Sequence, residues 1–116
     1  MQDRIKKFKE YRQKMNKKIL DSENLDIKRF FALDSSVYRK GHLDAPTKEM
    51  MGLVASTVMR CNDCILYHLD RCIQEGVTDE ELQEALSVAL VVGGSIVIPH
   101  LRYAFEMMEA LRSEKK

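Results

Sequence analysis

The chain has 116 residues, 45% hydrophobic and 32% charged, which excludes a disordered tail or a collagen-like repeat and suits one domain's worth of globular protein. Nineteen Lys+Arg stand against 18 Asp+Glu, a net charge of +1, so there is no cationic surplus of the kind a nucleic-acid binder needs. Five Gly and two Pro leave little material for tight turns. The near-neutral balance conceals an asymmetry: residues 1–40 hold 12 basic and 6 acidic side chains, while 41–116 hold 7 and 12. Opposite-signed halves favour packing of a basic arm on the body or on a neighbouring subunit; a solvated basic helix is the plainer reading.

From the N-terminus, Ile5, Phe8, Met15 and Ile19 recur at helical spacing among lysines and arginines, predicting an amphipathic basic helix over roughly 2–19. It forms a first segment, residues 1–22, ahead of a domain at 23–116. MQDRIKKFKE carries no apolar stretch of the secretory type, so the expected setting is cytoplasmic. Leu20 to Asn24 reads as a break. Leu25, Ile27, Phe30, Phe31 and Leu33 suggest a short second helix. Asp34-Ser35-Ser36 could cap a third piece that ends at Gly41.

Asp44 then offers an N-cap with Pro46 in the first turn. The helix it opens carries Met50, Met51, Leu53, Val54, Thr57 and Val58 as an inward stripe and should end near Arg60. Another helix starts around Cys61–Cys64 and stops at Gly76. Thr78 with Glu81 has capping-box form, and its helix runs to Gly93-Gly94. The last helix spans about Ser95 to Ser113, with Pro99 in its first turn. No convincing strand pair exists, so the fold class is all-α. Ala85 to Leu101 is uncharged but shorter than the ~20 residues that cross a bilayer, and it is broken by Gly93-Gly94. No membrane association is expected. Within it, Val88–Ile98 is apolar on every side and needs cover all round, which points to burial between subunits.

The chemistry concentrates in Cys61-x-x-Cys64-x-x-x-His68. On a helix these positions share one face, and Cys72 continues the stripe. Cα atoms three apart lie ~5–5.5 Å from each other, within reach of a disulfide. A thiolate near a helix N-terminus is favoured, and an imidazole one turn on can carry the proton. Three readings follow. One is a redox dithiol. One is a zinc site of Cys61, Cys64, His68 and Cys72, which geometry opposes because eleven helical residues rise ~16 Å while zinc–sulfur bonds measure ~2.3 Å. The third is a set of buried cysteines behaving as small hydrophobes. Cys72 is too far along the helix to bridge to either partner and should be a reduced, packed thiol. Glu49, on the preceding helix, returns near the second turn of the next if the two pack antiparallel, and could exchange a proton with His68 or a water. Taken alone it would be a solvated helix charge.

Glu49, an eleven-residue gap, Cys61-x-x-Cys64-x-x-x-His68, then Gly76 and a newly capped helix resemble the alkylhydroperoxidase AhpD and carboxymuconolactone decarboxylase superfamily. Gly41-His42-Leu43-Asp44 before the motif and Gly93-Gly94 after it extend the resemblance over roughly 25–112. It implies an AhpD-like helical bundle, one repeat per chain, assembled as a homo-oligomer, commonly a hexamer. It also implies thiol-dependent peroxidase activity: Cys64 attacks a hydroperoxide, Cys61 resolves, Glu49 and His68 relay protons, and a dithiol protein or small thiol restores the pair. No cofactor or metal is implied beyond the Cys61–Cys64 disulfide.

A helix-terminus argument alone favours Cys61 as the lower-pKa thiol. Proximity to His68 favours Cys64 as the attacking group. Asp63 stands where AhpD has a further His between the cysteines, and a neighbouring carboxylate raises a thiol's pKa. His100, after Pro99, is a candidate pocket or interface residue, as is Asp63. In the decarboxylase branch, which acts on a small lactone acid, the paired cysteines are absent, so their presence here ranks that reaction lower. A non-enzymatic oligomeric module with a vestigial dithiol is the remaining alternative.

Overall fold

Capping chemistry sets the element boundaries in the computed structural model, which describes residues 2–114. The outer limits expected for the two segments, residues 1 and 116, lie outside the described residues. Among the described residues there are helices and no strand. They fall into two compact units, divided between Arg39 and Lys40.

The first unit holds α1 (Gln2–Leu20) and α2 (Leu25–Val37). The predicted break is a turn in which the Ser22 N–H and hydroxyl both donate to the Ile19 carbonyl. Asn24 caps α2 by accepting the Ile27 N–H at 3.0 Å. Here one expectation fails. Asp34-Ser35-Ser36 does not open a third piece, because α2 runs through it to Val37. These residues cap only where the chain leaves helical geometry, and their neighbours Leu33 and Val37 continue the 3.6-residue period.

The second unit holds α3 (Ala45–Val58), α4 (Asn62–Gln74), α5 (Asp79–Gly93), one turn of 3-10 helix at Ser95–Val97, and α6 (Ile98–Glu114). Asp44 caps α3 through the Thr47 N–H at 2.9 Å, and Thr47's hydrogen bonds hold the Asp44 carboxyl below its usual range. Thr78 and Glu81 form the predicted reciprocal capping box of α5. The expected final helix is split, since the 3-10 turn precedes α6 and Pro99 falls in the first turn of α6.

Gly76 ends α4 in a left-handed conformation with φ 86°. Its N–H donates to Ile73 and that of Val77 to Cys72, a Schellman closure with Val77 buried over it. Arg112 of α6 then grips the same turn, donating to Asp79 Oδ1 at 2.7 Å and to the Val77 carbonyl at 2.8 Å. Helix α3 packs against α4 and α5, and α4 against α6. Their shared interior contains Leu53, Ile65, Leu69, Leu82, Leu86, Val97, Ala104 and Met107, all fully buried.

The inward stripe expected of α3 is only partly inward. Leu53 and Thr57 are buried together with Glu49 and Ser56, whereas Met51 is exposed. Met50, Val54 and Val58 line an apolar groove of about 620 Å³ with Met59, Val88 and Val92. The stretch 88–98 likewise buries Ala89 and Val97 but leaves Val91 84% and Val92 68% exposed in the single chain.

Gly93 makes a close approach within the chain. A Cβ on Gly93 would run into Cγ2 of Val97, a stiff and fully buried side chain. Gly93→Ala is therefore expected to lower stability by about 1–3 kcal/mol, read as a reduced urea midpoint; an unchanged midpoint would show that the contact yields freely.

Candidate active site

The corner between α3 and α4 is built from three consecutive residues. Met59 closes α3, and Arg60 follows with φ 61°, a left-handed conformation that non-glycine residues seldom take. The Arg60 N–H donates to Thr57 and the Cys61 N–H to Ser56, so α3 ends in a second Schellman closure. Cys61 then serves as the N-cap of α4 with extended backbone, its Sγ accepting the Cys64 N–H at 3.3 Å. One residue thus terminates one helix and starts the next. This corrects the expectation that Cys61 lies on the helical face with Cys64 and His68, since it stands just outside the helix.

Cys61 and Cys64 are joined as a disulfide, with Cα atoms 5.3 Å apart, inside the spacing expected of a helical turn. Cys64 is exposed and Cys61 half-buried. Asp63, in the first turn of α4, is exposed and lies where a carboxylate complements the helix dipole.

His68 sits in the second turn of α4, one turn beyond Cys64. Its Nδ1 is 2.9 Å from Glu49 Oε1 on α3. A carboxylate can only accept, so Nδ1–H donates; in the neutral ring the lone pair is then on Nε2. Glu49 is buried, its side chain 4% exposed, and His68 is largely covered at 11%. Glu49 is thus no solvated helix charge; the antiparallel return of α3 and α4 brings it to the level proposed from the sequence. The Tyr67 ring meets the imidazole edge-on at 5.1 Å between centroids.

Two participants escaped the sequence reading. Arg71 places Nε 3.7 Å from Glu49 Oε2. Its position three residues after His68 was the available signal, because that spacing shares a helical face. Asn62, the first residue of α4, takes a 2.8 Å hydrogen bond with His100 Nδ1 through Oδ1, tying the start of α6 to the start of α4 beside the dithiol. Thirty-eight residues separate that pair, and no local pattern announces it. His100 itself is half-buried.

Cys72 is fully buried and free, and desolvation, with the Glu49 charge second, pushes its thiol up to about 12. No group of three or more His, Cys, Asp or Glu among the described residues is arranged to hold a metal ion, and no helix among them is long and apolar enough to cross a membrane.

The family model for carboxymuconolactone decarboxylases matches residues 27–110. The chain belongs to the carboxymuconolactone decarboxylase family. An uncharacterized protein of the cox locus of Paracoccus denitrificans is 29% identical over 82 residues, 71% of this chain and 74% of that one. An alkyl hydroperoxide reductase AhpD of Corynebacterium aurimucosum is 34% identical over 62 residues, 53% of this chain but only 35% of its own length. A crystal structure of a Thermotoga maritima family protein, for which involvement in an antioxidative response has been suggested, superposes with a TM-score of 0.90 at 62% identity, covering 94% of this chain and 92% of that one. A family protein from Legionella pneumophila aligns with a TM-score of 0.65 at 28% identity over 98% and 92% of the two chains. The fold of this chain is the AhpD-like all-α fold.

The burial of Cys72 separates it chemically from the exposed pair. After reduction of the native protein, iodoacetamide at pH 8 is expected to label Cys61 and Cys64 and to reach Cys72 only on denaturation. Mass mapping that finds Cys72 alkylated as fast as Cys64 would contradict its placement.

Proposed function

We propose that the protein is a thiol-dependent peroxidase that cycles Cys61 and Cys64 between dithiol and disulfide. The observation that carries this reading is the disulfide at the head of α4, one turn ahead of a part-buried, hydrogen-bonded His68–Glu49 pair. In the reduced protein, His68 Nε2 takes the thiol proton of Cys64. The Cys64 thiolate attacks one peroxide oxygen of ROOH, the O–O bond breaks, and RO⁻ leaves and collects the proton from His68 as ROH. Cys64 is now a sulfenic acid. The Cys61 sulfur attacks it, the disulfide forms and water departs. An external dithiol exchanges with the disulfide and restores both thiols.

Glu49 holds the imidazole in the tautomer this cycle needs and stabilises it while it carries the extra proton. The cycle calls for no cofactor beyond the cysteine pair and the external reductant, and a reducing, cytoplasmic setting suits it. Lactone decarboxylation is the rival within the family, and the paired cysteines argue against it.

The exposure of Val88, Val91 and Val92 beside the α3–α5 groove supports a homo-oligomer through this face, a hexamer if the AhpD resemblance extends that far. Val92→Glu is expected to dissociate the assembly in sedimentation; a wild-type 13.5 kDa monomer would remove the idea.

Purified protein is expected to consume cumene hydroperoxide with dithiothreitol as reductant. Cys64→Ser should abolish turnover, and Glu49→Gln or His68→Asn should slow it by roughly 10²–10⁴-fold. Full turnover by Cys64→Ser, or none by the wild type with any peroxide, would reject the assignment, the latter in favour of a module with a vestigial dithiol.

A further inference from the structure

A buried carboxylate is costly unless each oxygen is matched. The two oxygens of Glu49 are divided between two α4 side chains: Oε1 faces His68 Nδ1 at 2.9 Å and Oε2 faces Arg71 Nε at 3.7 Å. The second separation is a charge contact rather than a hydrogen bond. The guanidinium is held from its outer side as well. Nη1 donates to Gln74 Oε1 at 2.9 Å, at the end of α4, and Nη2 to Glu75 Oε1 at 3.3 Å, at its C-cap. Gln74 in turn donates to Asp70 Oδ2 at 3.0 Å, which settles which way its amide points. The rigid guanidinium fork is thus aimed by its own helix, leaving Nε as the edge turned towards α3.

We propose that Arg71 is a positioning residue that acts on His68 through Glu49. Its seat at Oε2 leaves Oε1 to the imidazole, so that His68 stays in the Nδ1–H tautomer with Nε2 as the base. The catalytic consequence rests on the peroxidase reading; the tautomer does not. A surface ion pair alone would not need Glu49, because Glu75 already pairs with Arg71 at the solvent side. The Cys72 thiol, which the Glu49 charge also reaches, is neutral and cannot replace the cation.

The test is two-bond ¹H–¹⁵N NMR of the His68 ring in the reduced protein, run with peroxidase kinetics on the same samples. Wild type should show Nδ1–H. Arg71→Met should populate the other tautomer and lower kcat/KM by roughly tenfold with KM for peroxide unchanged, while Arg71→Lys should keep the wild-type tautomer. If Arg71→Met does not fold, Arg71→Gln, which also removes the charge, is read the same way. A charge-removed variant whose His68 tautomer matches wild type overturns the proposal. If wild type turns over no peroxide, the peroxidase reading fails, and the tautomer comparison still decides the role of Arg71.

Discussion

A hydrogen bond between buried Glu49 on α3 and largely covered His68 on α4 is the constraint on which the rest of the site depends. Breaking such a pair by removing one partner leaves an uncompensated polar group inside, at a cost of about 3–5 kcal/mol for a charged one. The pair therefore fixes how α3 and α4 face each other as much as it equips the site. Leu53 and Thr57 on α3 and Ile65, Leu69 and Cys72 on α4 are buried alongside it. The fold keeps this acid in its interior, against the imidazole that stands one helical turn beyond Cys64; in the proposed cycle that is where the proton is held.

The second constraint is the corner. Arg60 accepts a left-handed backbone so that Cys61 can finish α3 and begin α4 without a connecting loop. Two Schellman closures, at Arg60 and at Gly76, bracket α4, and Arg112 pins the far one from α6. Helix α4 is held at both ends. Its N-terminus carries the cysteines, and the N–H it offers to Cys61 Sγ is the electrostatic feature that favours a thiolate when the pair is reduced. In the proposed cycle, dipole and base act on different sulfurs, Cys61 and Cys64, so that one attacks and the other resolves.

Much of this was legible because it is local. The caps at Asp44 and Thr78, the stop at Gly76 and the Cys-x-x-Cys spacing depend on residues within a turn of one another. Glu49 was legible only as a conditional, since its burial required α3 and α4 to pack antiparallel. What was not legible is non-local or two-faced. The Asn62–His100 bond crosses from α4 to α6. Cys61 reads as helical by spacing and is a cap by backbone. Arg71 reads as one of many surface arginines until its guanidinium is seen against a buried acid. The α2 error has a different origin: Asp and Ser punctuate helices by competing for backbone hydrogen bonds, and within a continuing period they lose that competition.

The central claim is that one α4 turn performs a dithiol–disulfide cycle served by Glu49 and His68. Its most direct measurement is a single turnover: fully reduced protein, one equivalent of hydroperoxide, rapid alkylation, and peptide mass mapping over time. The account predicts a Cys61–Cys64 disulfide as the product, Cys72 still a thiol, and slowed formation in Glu49→Gln. Cysteines that stay reduced, a bridge that includes Cys72, or a Glu49→Gln rate equal to wild type would contradict it.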